Sequence, residues 1–89
     1  MTQPGDPAWP ASLSKEAAGV LADLSPDVQE LVRDALALAG RAPYGWPQFQ
    51  PADPDGTDVR VAQVGLVTVV YWVNRNLSRL RVLDIVWLG

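Results

Sequence analysis

Two kinds of hydrophobic spacing divide this chain. In the first part, Ala17, Val20, Leu21 and Leu24 follow Ser14, and Val28, Leu31, Val32, Ala35, Leu36 and Ala39 follow Ser25-Pro26. Intervals of three and four place each set on one face of a helix. Ser14 and Ser25 carry hydroxyls that can cap a first turn. Pro26 at the first helical position sacrifices no hydrogen bond, and Asp27 puts negative charge at the positive end of the helix dipole. The spacing predicts helices over residues 15–24 and from 26 onward, the second stopped by Gly40 with Pro43 shortly after. The short junction at Ser25 folds them into an antiparallel hairpin.

In the second part, Val59–Gln63, Leu66–Val73 and Leu80–Leu88 are rich in β-branched and aromatic residues and read as strands. Gly65 stands where a three-residue hairpin needs left-handed backbone. Asn74-Arg75-Asn76 makes the next turn, because asparagine tolerates that conformation. Before the helices, Trp9–Leu13 reads as a short strand, and Pro10, which has no N–H, suits a sheet edge. The expected architecture is α+β: an N-terminal edge strand and an antiparallel helical hairpin packed on a C-terminal antiparallel β-meander.

Residues 41–57, RAPYGWPQFQPADPDGT, hold four prolines and two glycines and read as loop. Tyr44, Trp46 and Phe49 are spaced to pin it to the body. A loop of this length is uncommon and points to function.

The strand Leu66–Val73 is apolar on both faces. Leu66, Thr68, Val70 and Trp72 alternate with Val67, Val69, Tyr71 and Val73. A strand apolar on both sides normally has cover on both, and a single helical hairpin covers only one. Either the Tyr44–Phe49 segment covers the other face, or that face binds a protein partner or a second copy of the chain. The residues expected to bind a partner are Leu66, Thr68, Val70, Trp72 and Val86.

With 89 residues, one domain over 9–89 is expected after a polar, flexible tail at 1–8. The chain has no cysteine and no histidine, so disulfides, thiolate metal sites and an imidazole base are excluded. No cofactor and no metal site are expected. Lys+Arg 7 against Asp+Glu 10 leaves a net charge of −3, which opposes nucleic acid as a partner. No signal peptide is visible, and the apolar run Val64–Val73 is too short to span a membrane, so no membrane association and a cytoplasmic location are expected.

Three stretches together carry a resemblance. LSKEAAGVLADLSPDVQELVRDAL resembles the helical hairpin of the RelE/ParE toxin superfamily. VRVAQVGLVTVVYWV resembles its central hairpin, typically R-x-R-V-G-D-Y-R-V-I-Y, and RVLDIVWLG its closing strand, typically V-x-V-L-x-I-G-H-R. Gly65, Tyr71, Leu83 and Ile85 match in place, and the similarity runs over about residues 9–89. The resemblance implies the toxin of a type II toxin–antitoxin pair, silenced by an antitoxin that wraps it. Family members cleave ribosome-bound mRNA or poison DNA gyrase.

The chain departs from that pattern where chemistry would sit. Thr68 stands where the family has an arginine three residues before Tyr71. Gln63 stands at another arginine position, with Arg60 nearby and offset in register. Trp87 and Leu88 stand in place of a histidine and an arginine, and Gly89 is not followed by the family's terminal tyrosine. RNA cleavage needs a base, a proton donor and cations for the phosphorane. Arginine supplies the last but is a poor proton acceptor. The expectation is therefore a toxin-like protein that acts by binding, without RNase chemistry. The alternatives are a ribosome-dependent mRNA interferase with a site rearranged around Arg60, Arg79 and Arg81, and a gyrase inhibitor, which needs none of the missing groups.

Other candidates have plainer readings. Arg60, Arg79 and Arg81 can be solvated edge charges paired with Asp58 or Asp84. Asp84 suits a surface carboxylate, Tyr71 and the tryptophans suit core packing, and Asp53, Asp55 and Asp58 lack the spacing of a calcium loop.

Overall fold

The computed structural model describes residues 8–89, so the tail expected over 1–8 lies, except for Ala8, outside the described residues. The elements run β1 (Ala11–Leu13), α1 (Lys15–Asp23), α2 (Pro26–Arg41), β2 (Val59–Val64), β3 (Val67–Asn74) and β4 (Arg79–Trp87). The strands form one sheet in the order β1-β4-β3-β2, with β1 parallel to β4 and the other pairs antiparallel. The α+β fold with an edge strand, two helices and a meander is as the spacing predicts.

Both helix caps form. Ser14 Oγ accepts from the Ala17 amide at 3.1 Å and Ser25 Oγ from the Val28 amide at 3.4 Å. The Gln29 side-chain Nε2 donates back to the Leu21 carbonyl at 2.9 Å and ties α2 to α1 across their two-residue junction. Helix α1 lies over β4, and α2 over β2 and β3. Their apolar stripes meet Val67, Val69, Val82 and Ile85 in one buried cluster with Ala17, Val28, Val32 and Ala35. A second cluster joins Ala39, Ala62, Tyr71, Val73 and Leu80, with Trp9 and Trp46 packed against it.

Gly40 does not stop α2, which continues to Arg41 with Ala42 as its C-cap. Its function is close approach. The Trp9 amide donates to the Gly40 carbonyl at 3.0 Å, and a Cβ on Gly40 would stand 2.5 Å from the Trp9 carbonyl oxygen. The turns also differ from expectation. Val64 pairs with Val67, so the first hairpin has a two-residue loop, Gly65-Leu66, with φ +58° at Gly65. Left-handed backbone at the first loop position followed by an ordinary residue is the pattern of a II′ turn. In the second hairpin Asn74 pairs with Arg79, and it is Ser78 that adopts the left-handed conformation (φ 51°). Asn74 instead uses its side-chain oxygen to accept from the Leu77 amide at 3.2 Å.

A bulge sets the faces of β4. Val70 pairs with Asp84 and Tyr71 with Val82, so Leu83 is the extra residue. One inserted residue reverses the alternation. Leu80 and Val82 on one side of it and Ile85 on the other therefore all face the helices, while Arg79, Arg81, Asp84 and Val86 face away.

Candidate functional site

The sheet surface opposite the helices is the site the fold leaves available. Directly paired residues share a face. Val59 with Trp72, Val61 with Val70, Gln63 with Thr68, Thr68 with Val86, Val70 with Asp84 and Trp72 with Arg81 therefore build one surface across β2, β3 and β4. Trp72 is 40% exposed, Val86 and Leu83 are exposed, and Leu66 projects from the adjoining turn. Val70, at the sheet centre, is only 8% exposed. Of the five residues expected to bind a partner, Val70 is thus a floor beneath the others, and Trp72 is the prominent aromatic. Trp72 is accordingly a surface residue, whereas Trp46, like Trp9 and Trp87, packs against the core.

The long loop does not cross this face. It lies along the edge of β2. The Phe49 amide donates to the Val59 carbonyl and the Val61 amide to the Pro47 carbonyl, both at 2.9 Å, and Gln48 bridges Arg60. Trp46 turns to the helix side. At the end of the loop Tyr44 donates its hydroxyl to Asp58 at 2.7 Å, and Arg75 pairs with the same carboxylate oxygen at 2.8 Å. Both Arg60 and Arg75 lie over the Tyr44 ring, 5.1 and 5.6 Å from its centre. The Tyr44 hydrogen bond, helped by Arg75, holds the Asp58 carboxyl below the usual carboxylate range. Partial burial and the Asp58 carboxylate push the Tyr44 hydroxyl up. This clasp joins the loop to the β3–β4 turn.

The three arginines read as a possible basic patch are not brought together. Arg60 pairs with Tyr71 and so lies on the helix side of the sheet, where its guanidinium donates to the carbonyls of Thr57 and Trp46 at 2.8 and 3.1 Å. Arg79 and Arg81 lie on the opposite face. Arg81 reaches Ser12 Oγ at 3.3 Å. Asp58 is taken by Arg75, and Asp84 accepts from the Ile85 amide at 2.9 Å, so neither carboxylate serves the arginines named with it. Arg75, the cation that does pair, carried no signal in the sequence beyond its place in a turn.

Proton-transfer groups are sparse here. Tyr71 is fully buried, donates to the Pro43 carbonyl at 2.7 Å, and is pushed up to about 12 by burial. It packs the core, as its place on the strand suggests. Among the described residues no group of histidine, cysteine or acidic side chains is arranged to hold a metal ion, and no helix is long and apolar enough to cross a membrane.

The arrangement of two helices on one face of a β1-β4-β3-β2 sheet matches known structures closely. The RelBE toxin–antitoxin complex of E. coli superposes with a TM-score of 0.74 at 15% identity, over 92% of this chain and 99% of that one. The chain has the RelE toxin fold. The isolated E. coli RelE toxin gives a TM-score of 0.75 at 15% identity, over 92% of this chain and 86% of the other. For the RelBE2 toxin–antitoxin complex of Mycobacterium tuberculosis the values are 0.72 and 16%, over 90% and 98%. No protein-family model matches the sequence, and no curated protein matches it. The RelE fold is preserved here by apolar pattern, caps and register at an identity too low to carry side-chain roles across.

Proposed function

We propose that this chain is the toxin-type member of a toxin–antitoxin pair, engaged by an antitoxin-like protein over the open sheet face, and that it acts by binding rather than by cutting RNA. The observation that carries the reading is the shared fold with toxins crystallised in RelBE complexes. The chemistry of the face supports the binding mode. Trp72, Leu66 and Val86 are exposed apolar anchors around the Val70 floor, and exposed aromatics of this kind dominate the energy of protein interfaces.

The absence of RNase chemistry is supported by what the face lacks. A 2′-hydroxyl needs a proton acceptor. The face carries Arg79 and Arg81 but no histidine, and its one carboxylate, Asp84, bonds a backbone amide. Arg60, the third arginine of the alternative, points the other way. The second reading, an mRNA interferase, is favoured by one observation only: Arg81 stands directly across from the exposed Trp72, a combination of cation and stacking ring that suits single-stranded RNA. Gyrase inhibition needs no such groups, and a supercoiling assay addresses it.

Expression of the chain alone is expected to leave bulk mRNA intact, and the product of an adjacent antitoxin-like reading frame to co-purify with the wild type but not with Trp72→Glu. Transcript cleavage that disappears in Arg81→Ala would overturn the non-nuclease reading.

A further inference from the structure

The open sheet face carries its own complement. Successive cross-strand pairs on one face form rungs about 7 Å apart, two residues at about 3.4 Å each. On one rung Trp72 lies beside Arg81, and on the next Val70 lies beside Asp84. Trp72 is exposed and Val70 is almost buried. Neighbouring rungs therefore set a protruding ring next to a hollow on β3, and a cation next to an anion on β4. Neither charge enters an ion pair among the described residues. Arg81 donates to Ser12 Oγ at 3.3 Å, and Asp84 accepts from the amide of Ile85, the next residue. Nothing in the described chain crosses these rungs. The loop is held at the edge of β2 by its bonds at Pro47 and Phe49, and the helices pack on the other side.

We propose that this face packs on the same face of a second copy of the chain, about a two-fold axis that runs across the strands between the two rungs. An isologous contact needs a surface complementary to itself. Such an axis keeps β3 over β3 and β4 over β4 and exchanges the rungs. Each Trp72 then stands over the second copy's Val70, and each Arg81 faces the second copy's Asp84. An axis through either rung would instead set Arg81 on Arg81 or Asp84 on Asp84. On β2, Val59 shares the rung of Trp72 and Val61 that of Val70, so the same operation lays Val59 over the second copy's Val61. Sheets packed face to face lie about 10 Å apart with their strands within about 30° of alignment, a gap that side chains from both faces fill.

The mixed signs favour a second copy over an acidic partner, to which Asp84 would present the wrong charge. Three short strands fall toward the small end of specific interfaces, about 1,200 Å² in total, so the dimer is concentration-dependent. A second copy and an antitoxin would compete for this face, but the dimer needs only the chain itself and does not rest on the antitoxin reading.

Sedimentation of the full chain alone, from about 1 μM to about 1 mM, tests it. The mass is expected to rise from 9.6 kDa toward twice that value. Arg81→Asp sets carboxylate against carboxylate across the axis, and Asp84→Arg sets cation against cation. Each is expected to weaken association at least about tenfold. The two substitutions together restore opposite charges at both contacts and are expected to recover association to within about threefold of the wild type. That recovery is specific to a two-fold contact, since a partner with fixed charges would not follow the exchange. Both side chains are exposed, so circular dichroism is expected to report an unchanged fold. Trp72→Glu, expected to weaken the dimer as strongly, stands in for a single variant that misfolds. A chain monomeric over the whole range, a dimer indifferent to the single variants, or a folded double variant that fails to recover would overturn the proposal. A monomeric chain that binds a polyglutamate peptide through Arg81 would assign the face to an acidic partner instead.

Discussion

Tyr71 and Trp72 are neighbours on β3 with opposite environments. Tyr71 is sealed under α2 with its hydroxyl on the Pro43 carbonyl, while Trp72 stands on the uncovered face across from Arg81. One face of the strand is closed by the chain itself; the other is equally apolar and is left open. Aromatic residues are thus placed on both sides of one sheet, and only the cover separates the packed ring from the exposed one. Composition cannot make that distinction, because two apolar faces look alike in a sequence.

The sharpest way to break the comparison is to truncate both residues. Tyr71→Ala is expected to cost about 3–5 kcal/mol, the range for large aromatics removed from a core, read as a fall in the denaturant midpoint. Trp72→Ala is expected to cost less than about 1 kcal/mol, as surface changes do. Equal losses would mean that the open face is a structural core after all.

A smaller effect is expected where the helix side closes at its end. Gly40→Ala forces a Cβ against the Trp9 backbone. Overpacking of this kind costs about 1–3 kcal/mol, even though alanine is the better helix former. A stabilised Gly40→Ala variant would show that the N-terminal crossing moves freely.

The smallest effect lies at the loop clasp. Asp58 is depressed in the folded chain, so its contribution is present above the unfolded carboxylate pKa of about 4 and is lost as pH falls through the lower folded value. Thermal melts of the wild type are expected to lose slightly more stability below pH of about 4 than those of Asp58→Asn. The pair is largely exposed, so the difference stays small.

Much of this organisation was legible. Ser14, Ser25 and Pro26 announce the helix starts because capping chemistry is local. The apolar intervals give the helical faces, and Gly65 marks a turn that needs left-handed backbone. What depends on contacts distant in sequence was not legible. Gly40 reads as a stop signal from its neighbours alone; its actual constraint comes from Trp9, which lies before β1 in the chain and crosses the C-terminal end of α2. The faces of the arginines depend on register. Arg60 follows the pairing with Tyr71, whereas Arg79 and Arg81 belong to a strand whose parity is reset at Leu83. The phase change is present in RLRVLDIVW, where buried positions run two apart and then three apart, but only a paired strand identifies it as a bulge. The loop's path along β2 had no signal, since it is fixed by main-chain bonds, an acceptor at Pro47 that any residue supplies and a donor at Phe49 that any residue but proline supplies.

The parallel pairing of β1 with β4 also dictates an order of events. Ser14 bonds the Leu83 carbonyl from 69 residues away, and Ala11 lies against Leu80. During synthesis both helices leave the ribosome before the strand that seats α1 exists. Their greasy stripes must wait for the meander, and the opening strand cannot dock before β4 exists. Non-local closures of this kind are slow and leave the growing chain prone to aggregation. A holdase or a promptly made binding partner would matter most in that interval, before the sheet acquires its fourth strand.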